Sequence, residues 1–126
     1  MTPSKEFVER RKFKRYKVKP GSFAALLPHS NKLGQIIDFG KGGLSFLYIY
    51  KDDVYDDSSE LDIFVSGKEF FLPRLPVKTV SDTNVPNKIP INPIVIQRQG
   101  VQFRELTPEQ TSMLDAFMQR YTTEEV

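Results

Sequence analysis

The apolar residues of this chain come in short runs that alternate with polar ones, and nearly every run is cut off by Gly, Pro, Asn or Asp. A period of two matches the pleat of a half-buried strand, not the 3.6-residue turn of a helix. The pattern predicts strands at 16–19, 22–27, 32–38, 44–50, 60–65, 69–73, 75–81, 91–98 and 101–104. Segments this short and this closely spaced are expected to form a mostly β domain, a closed or nearly closed barrel. At 126 residues the chain is long enough for one core and too short for two.

Two local signals refine the outline. Ser66-Gly67 reads as a tight hairpin, because glycine supplies the positive φ such a turn requires. The stretch SDTNVPNKIPINP carries Pro86, Pro90 and Pro93 and reads largely as loop, since proline cannot donate to a ladder. The period then changes near the end. Thr107 is placed to cap a helix with Pro108 at its first position and Gln110 completing a capping box. Met113, Leu114, Phe117, Met118 and Tyr121 recur on one helical face, which reads as packing against one end of the barrel. The expected organisation is a flexible segment over 1–9, one domain over 10–121 (barrel 16–106, helix 107–121) and a tail over 122–126.

Composition narrows the chemistry. With one histidine and no cysteine, the chain offers no disulfide, zinc knuckle or thiol nucleophile. His29 lies in an expected turn, LLPHSNK, with no sign of an activated serine. The acidic stretch KDDVYDDSSE lacks the alternating acids and central glycine of an EF-hand and reads as a solvated connection. Its Asp52, Asp53, Asp56 and Asp57 are also charged oppositely to the N-terminus and are expected to hold it electrostatically. No apolar run approaches the roughly 20 residues that span a bilayer, and the charged N-terminus lacks the apolar centre of a signal peptide. A cytoplasmic, non-catalytic protein without membrane insertion is expected.

Charge is distributed unevenly. Residues 1–20 hold eight basic side chains against Glu6 and Glu9, a net +6, while the remainder holds 10 basic and 14 acidic residues, a net −4. Such polarity implies a local attraction for an anion. In VERRKFKRYKV, Arg11 and Arg15 are four apart, with Arg10 and Lys14 as a parallel pair. Guanidinium groups suit phosphate oxygens and the O6/N7 edge of guanine. Taken alone, the cluster reads more readily as a solvated tail. About twenty residues on, IDFGKGG places Gly40, Gly42 and Gly43 directly behind Asp38. These glycines permit sharp bends and close approach of another group to the main chain. Asp38 can either brace its own turn or accept from the N1/N2 edge of a guanine.

Arg11-x-x-x-Arg15 followed by Asp38-Phe39-Gly40-Lys41-Gly42-Gly43 resembles the PilZ domain, the bacterial receptor module for cyclic di-GMP, which carries an RxxxR element before its first strand and a [D/N]xSxxG element on the barrel. The likeness takes in the ERRKFKRYKV lead-in, the GLSF strand, the late GVQF strand and a closing helix, from Glu9 to about Tyr121. It implies a mostly β fold, a small antiparallel β-barrel of about six strands with one C-terminal α-helix and a flexible N-terminal arm that closes over the ligand. Arg11 and Arg15, with Arg10 beside them, would grip phosphates and guanine Hoogsteen edges, Asp38 and Gly40 would hold the base from the barrel side, and Gly43 would be the turn glycine. Where the family motif has serine this chain has Gly40. The missing hydroxyl is worth about 0.5–1.5 kcal/mol, or up to about 3 toward a charged group.

The resemblance implies a cyclic di-GMP receptor or adaptor that signals through a downstream bacterial protein. Two alternatives stand beside it. One is a PilZ-like interaction module that has lost its ligand with the motif serine. The other is a barrel for single-stranded nucleic acid, a reading encouraged by the aromatic content. Core packing accounts better for aromatics such as Phe46, Tyr48, Phe64 and Phe70, which sit within expected strands.

Overall fold

The computed structural model describes residues 13–27, 32–50, 59–67, 70–86 and 94–126. In chain order it contains β1 (Arg15–Val18), β2 (Ser22–Leu27), β3 (Leu33–Gly40), β4 (Gly43–Ile49), β5 (Glu60–Val65), β6 (Phe70–Val85), β7 (Ile96–Phe103), α1 (Pro108–Tyr121) and β8 (Thr122–Glu125). Hydrogen bonding runs β2-β5-β6-β7-β4-β3, and β3 returns to β2, so six antiparallel strands close into a barrel. Closure removes free sheet edges from these six strands.

Strand β3 belongs to two structures at once. Its first residues, Leu33–Gln35, pair with β2 and close the barrel. Its last residues, Asp38–Gly40, pair with β1, which carries the sheet beyond the barrel to β8. A register shift against β4 between Ile36 and Asp38 separates the halves, and such a bulge sharpens twist so that one strand can serve two directions.

Inward residues alternate as a half-buried strand requires. Ile36, Phe39, Leu44, Phe46, Leu61, Ile63, Leu75, Val77 and Val101 are fully or almost fully buried. Helix α1 covers one end, with Leu114 and Phe117 buried. The Phe117 ring centroid lies 4.7 Å from that of Phe39 and 5.5 Å from that of Phe70. Thr107 and Gln110 form the reciprocal capping box, Thr107 Oγ1 accepting from Gln110 N at 3.1 Å and Gln110 Oε1 from Thr107 N at 2.9 Å.

The structure departs from the sequence expectations in three places. The strands expected at 69–73 and 75–81 are one strand, β6, which absorbs the break at Pro73-Arg74. Arg74 takes φ +58° and its amide donates to Asp62 Oδ1 at 2.8 Å. That strand continues through Ser81–Val85, expected to be loop, because each of those residues pairs with β7 and pairing outweighs the poor strand propensity of Asp and Asn. The strands expected at 91–98 and 101–104 meet as β7, since Gly100 stays in register with both Ser45 and Ser81. Residues 122–126, read as a tail, include β8, whose Thr122 and Glu125 pair with Val18 and Tyr16 of β1. Gly67 adopts the positive φ (+71°) expected of its hairpin. The 1–9 segment, His29 and the acidic 51–58 stretch lie outside the described residues.

Candidate functional site

Because Phe39, Leu44, Phe46 and Val101 face the core, the residues alternating with them form the outer face of the sheet. Register sets Lys17, Asp38, Ser45 and Gly100 side by side across β1, β3, β4 and β7. Arg15 and Gly40 lie one step along in one direction. Leu47 and Arg98 lie one step along in the other.

Asp38 belongs to the outer face, yet only 4% of its side chain is exposed, because two arginines lie against it. Arg15 Nη1 donates to Oδ1 at 2.7 Å, and Arg98 Nη2 donates to Oδ2 at 2.6 Å. The same Arg98 Nη2 donates to Ser45 Oγ at 3.1 Å. A buried carboxylate is tolerable when both oxygens are neutralised and hydrogen-bonded. Asp38 meets that condition with one guanidinium per oxygen. The centre as a whole keeps one positive charge in excess.

The glycines after Asp38 serve close approach by the chain itself. A Cβ at Gly40 would lie 2.4 Å from the carbonyl oxygen of Lys14 and 3.0 Å from Arg15 Cδ. At Gly42 a Cβ would meet the ring of Phe13 at 2.7 Å, and at Gly43 the carbonyl oxygen of Val101 at 2.1 Å. None of the three has positive φ. Gly43, expected as a turn glycine, is required by the spacing between β4 and β7. Gly40, where the family motif has serine, lets β1 settle against β3 and so brings Arg15 onto Asp38.

Of the residues singled out in the sequence, Arg15, Asp38, Gly40 and Gly43 gather on this face, while Arg10 and Arg11 lie outside the described residues. Arg98 and Ser45 were not anticipated. In IQRQGVQF, Arg98 looks like the outward charge of an alternating strand, and its distance of 60 residues from Asp38 conceals their contact. Exposed pairs at the root of the arm, Lys17 with Glu124 at 3.4 Å and Lys14 with Glu125 at 3.9 Å, add little stability individually. Among the described residues no three His, Cys, Asp or Glu side chains gather as a metal site, and no helix is long and apolar enough to cross a membrane.

This architecture is that of the PilZ domain. The chain is similar to the PilZ domain of YcgR from Escherichia coli, whose structure was determined with c-di-GMP, at TM-score 0.64 and 15% identity over 84% of this chain and 86% of that one. It is also similar to the larger YcgR structure in complex with c-di-GMP, at TM-score 0.59 and 14% identity over 86% of this chain, and it spans 44% of that protein. No family model and no curated protein matches the sequence.

Proposed function

We propose that this protein is a PilZ-type receptor or adaptor for cyclic di-GMP, a binding module and not an enzyme. The observation that carries the reading is the Arg15–Asp38–Arg98 centre on the outer face of a PilZ-fold barrel. It unites the second arginine of the RxxxR element with the acid of the barrel element. Support also comes from the two YcgR structures of the same fold, both with c-di-GMP.

Arg15 is anchored before ligand arrives, since it lies in β1 and is held by Asp38. Its remaining donors are available for phosphate oxygens or a guanine O6/N7 edge. Asp38 is the acceptor for the guanine N1/N2 edge, reached as Arg15 shifts from carboxylate to ligand. Closure of the basic segment preceding β1, with Arg10 and Arg11, then completes the grip. Charge-assisted bonds offset the entropy lost in ordering that segment. The closed arm presents a new surface to a downstream bacterial protein.

The tight fit of β1 over Gly40 favours a second reading, a PilZ-like interaction module in which β1 occupies the place of the motif serine side chain. Calorimetric titration with cyclic di-GMP separates the two. Receptor function predicts saturable heat that falls at least about tenfold in affinity for Arg15→Ala, the loss expected of one hydrogen-bonded charge. Absence of heat and of any melting shift at high ligand concentration would leave the interaction module.

A further inference from the structure

We infer that Arg98 is a third ligand-holding arginine, supplied by the barrel and not by the arm, and that it takes a phosphodiester of the bound dinucleotide. The inference rests on the receptor reading above and extends it to a residue outside both motif elements. Arg98 sits within β7, hydrogen-bonded into the sheet on both sides, opposite Leu47 of β4 and Thr83 of β6. Its Nη2 alone makes both bonds, to Asp38 and to Ser45. A guanidinium carries five N–H donors, so the Nε donor and the two Nη1 donors remain, with no partner among the described residues.

Exposure separates the two arginines of the centre. Arg15 keeps 16% of its side chain accessible and Arg98 keeps 46%. Asp38 cancels only one of the two charges. What faces solvent is therefore a cation already oriented by two hydrogen bonds, with unused Nε and Nη1 donors for phosphate oxygens. The neighbouring position toward Arg15 on β7 is Gly100, flanked by Ser45 and Ser81, so no bulky side chain from β7, β4 or β6 screens it on that side. Preorganisation lowers the entropy lost on binding.

The test uses the full chain, cyclic di-GMP and inorganic pyrophosphate as probes, and the variants Arg98→Gln and Arg98→Lys. The Arg98 Nε–Hε resonance is assigned by its loss in Arg98→Lys. We expect Arg98→Gln to weaken cyclic di-GMP binding about 10- to 100-fold, the range for losing a hydrogen bond to a charged group, and Arg98→Lys to recover part of it. The wild-type Nε–Hε resonance should shift on addition of ligand, a response that a purely structural tie to Asp38 would not give and that does not depend on the Gln variant folding. Wild-type binding with an unmoved resonance and near-equal affinity in Arg98→Gln would overturn the assignment and leave the receptor reading intact. If wild type fails to bind cyclic di-GMP, the receptor reading falls. Pyrophosphate then decides Arg98: a shifted resonance supports an anion site there, and an unmoved one overturns it.

Discussion

Two aspartates on the same sheet end up in opposite circumstances. Asp82, on β6, accepts from Tyr48 Oη at 2.9 Å, Lys32 Nζ at 3.2 Å and Gln97 Nε2 at 3.2 Å. Lys32 is 5% exposed at its side chain and lies 5.0 Å over the Tyr48 ring. The ammonium of Lys32 there is out of reach of solvent. Asp38 meets two guanidiniums, one of them half in water with donors to spare. Both clusters tie strands together, and the second presents a half-exposed guanidinium with unused donors at its surface. Spare donors, more than the presence of an ion pair, distinguish a binding centre from a fastening.

Removing the carboxylate at the first centre should have the largest effect. Asp38→Ala leaves two arginines facing one another, and breaking a buried pair costs about 3–5 kcal/mol. With Arg98 half solvated we expect about 2–3 kcal/mol, read as a lower urea midpoint, and the receptor reading adds a loss of cyclic di-GMP affinity. Unchanged stability would mean that the two clusters do not differ as described.

At the second centre, Lys32→Met should lower stability by about 1–3 kcal/mol through the acceptor it leaves short of a partner. On the receptor reading cyclic di-GMP affinity should stay within about twofold, because sites without shared partners are nearly independent. A tenfold change in affinity would show that Asp82 belongs to the proposed binding centre after all.

The smallest effect is expected from Gly40→Ser, which restores the family motif. Overpacking costs about 1–3 kcal/mol, and β1, being outside the closed barrel, can yield, so we expect about 1 kcal/mol. Chemical shifts of Lys14 and Arg15 should move while those of the core remain. If the variant is as stable as wild type with β1 undisturbed, the close approach of Lys14 is not what holds glycine there.

Much of the fold was legible along the chain. The period-two runs mark β2, β4 and β5, the capping box marks α1, and Ser66-Gly67 marks its hairpin, because each depends on neighbours within a few residues. The acid and the second arginine of the centre were legible as well, through spacing that resembles a known motif. Strand breaks were misjudged wherever a distant partner decided the matter. Pro73-Arg74 and Gly100 look like ends of strands, yet pairing to β5, and to β4 and β6, carries the backbone through them. The run Ser81–Val85 has turn composition but finds in β7 a ladder that local propensity does not encode.

The order of residues is enough to establish a small β domain with a basic N-terminus, a glycine-rich segment behind an acid and a closing helix, since these follow from periodicity and local charge. It does not reveal that Gly40 makes room for Lys14, that β8 pairs with β1, or that Arg98 crosses β4 to reach Asp38. Those contacts join residues far apart in sequence, and they exist only after register and barrel closure have set the strands beside one another.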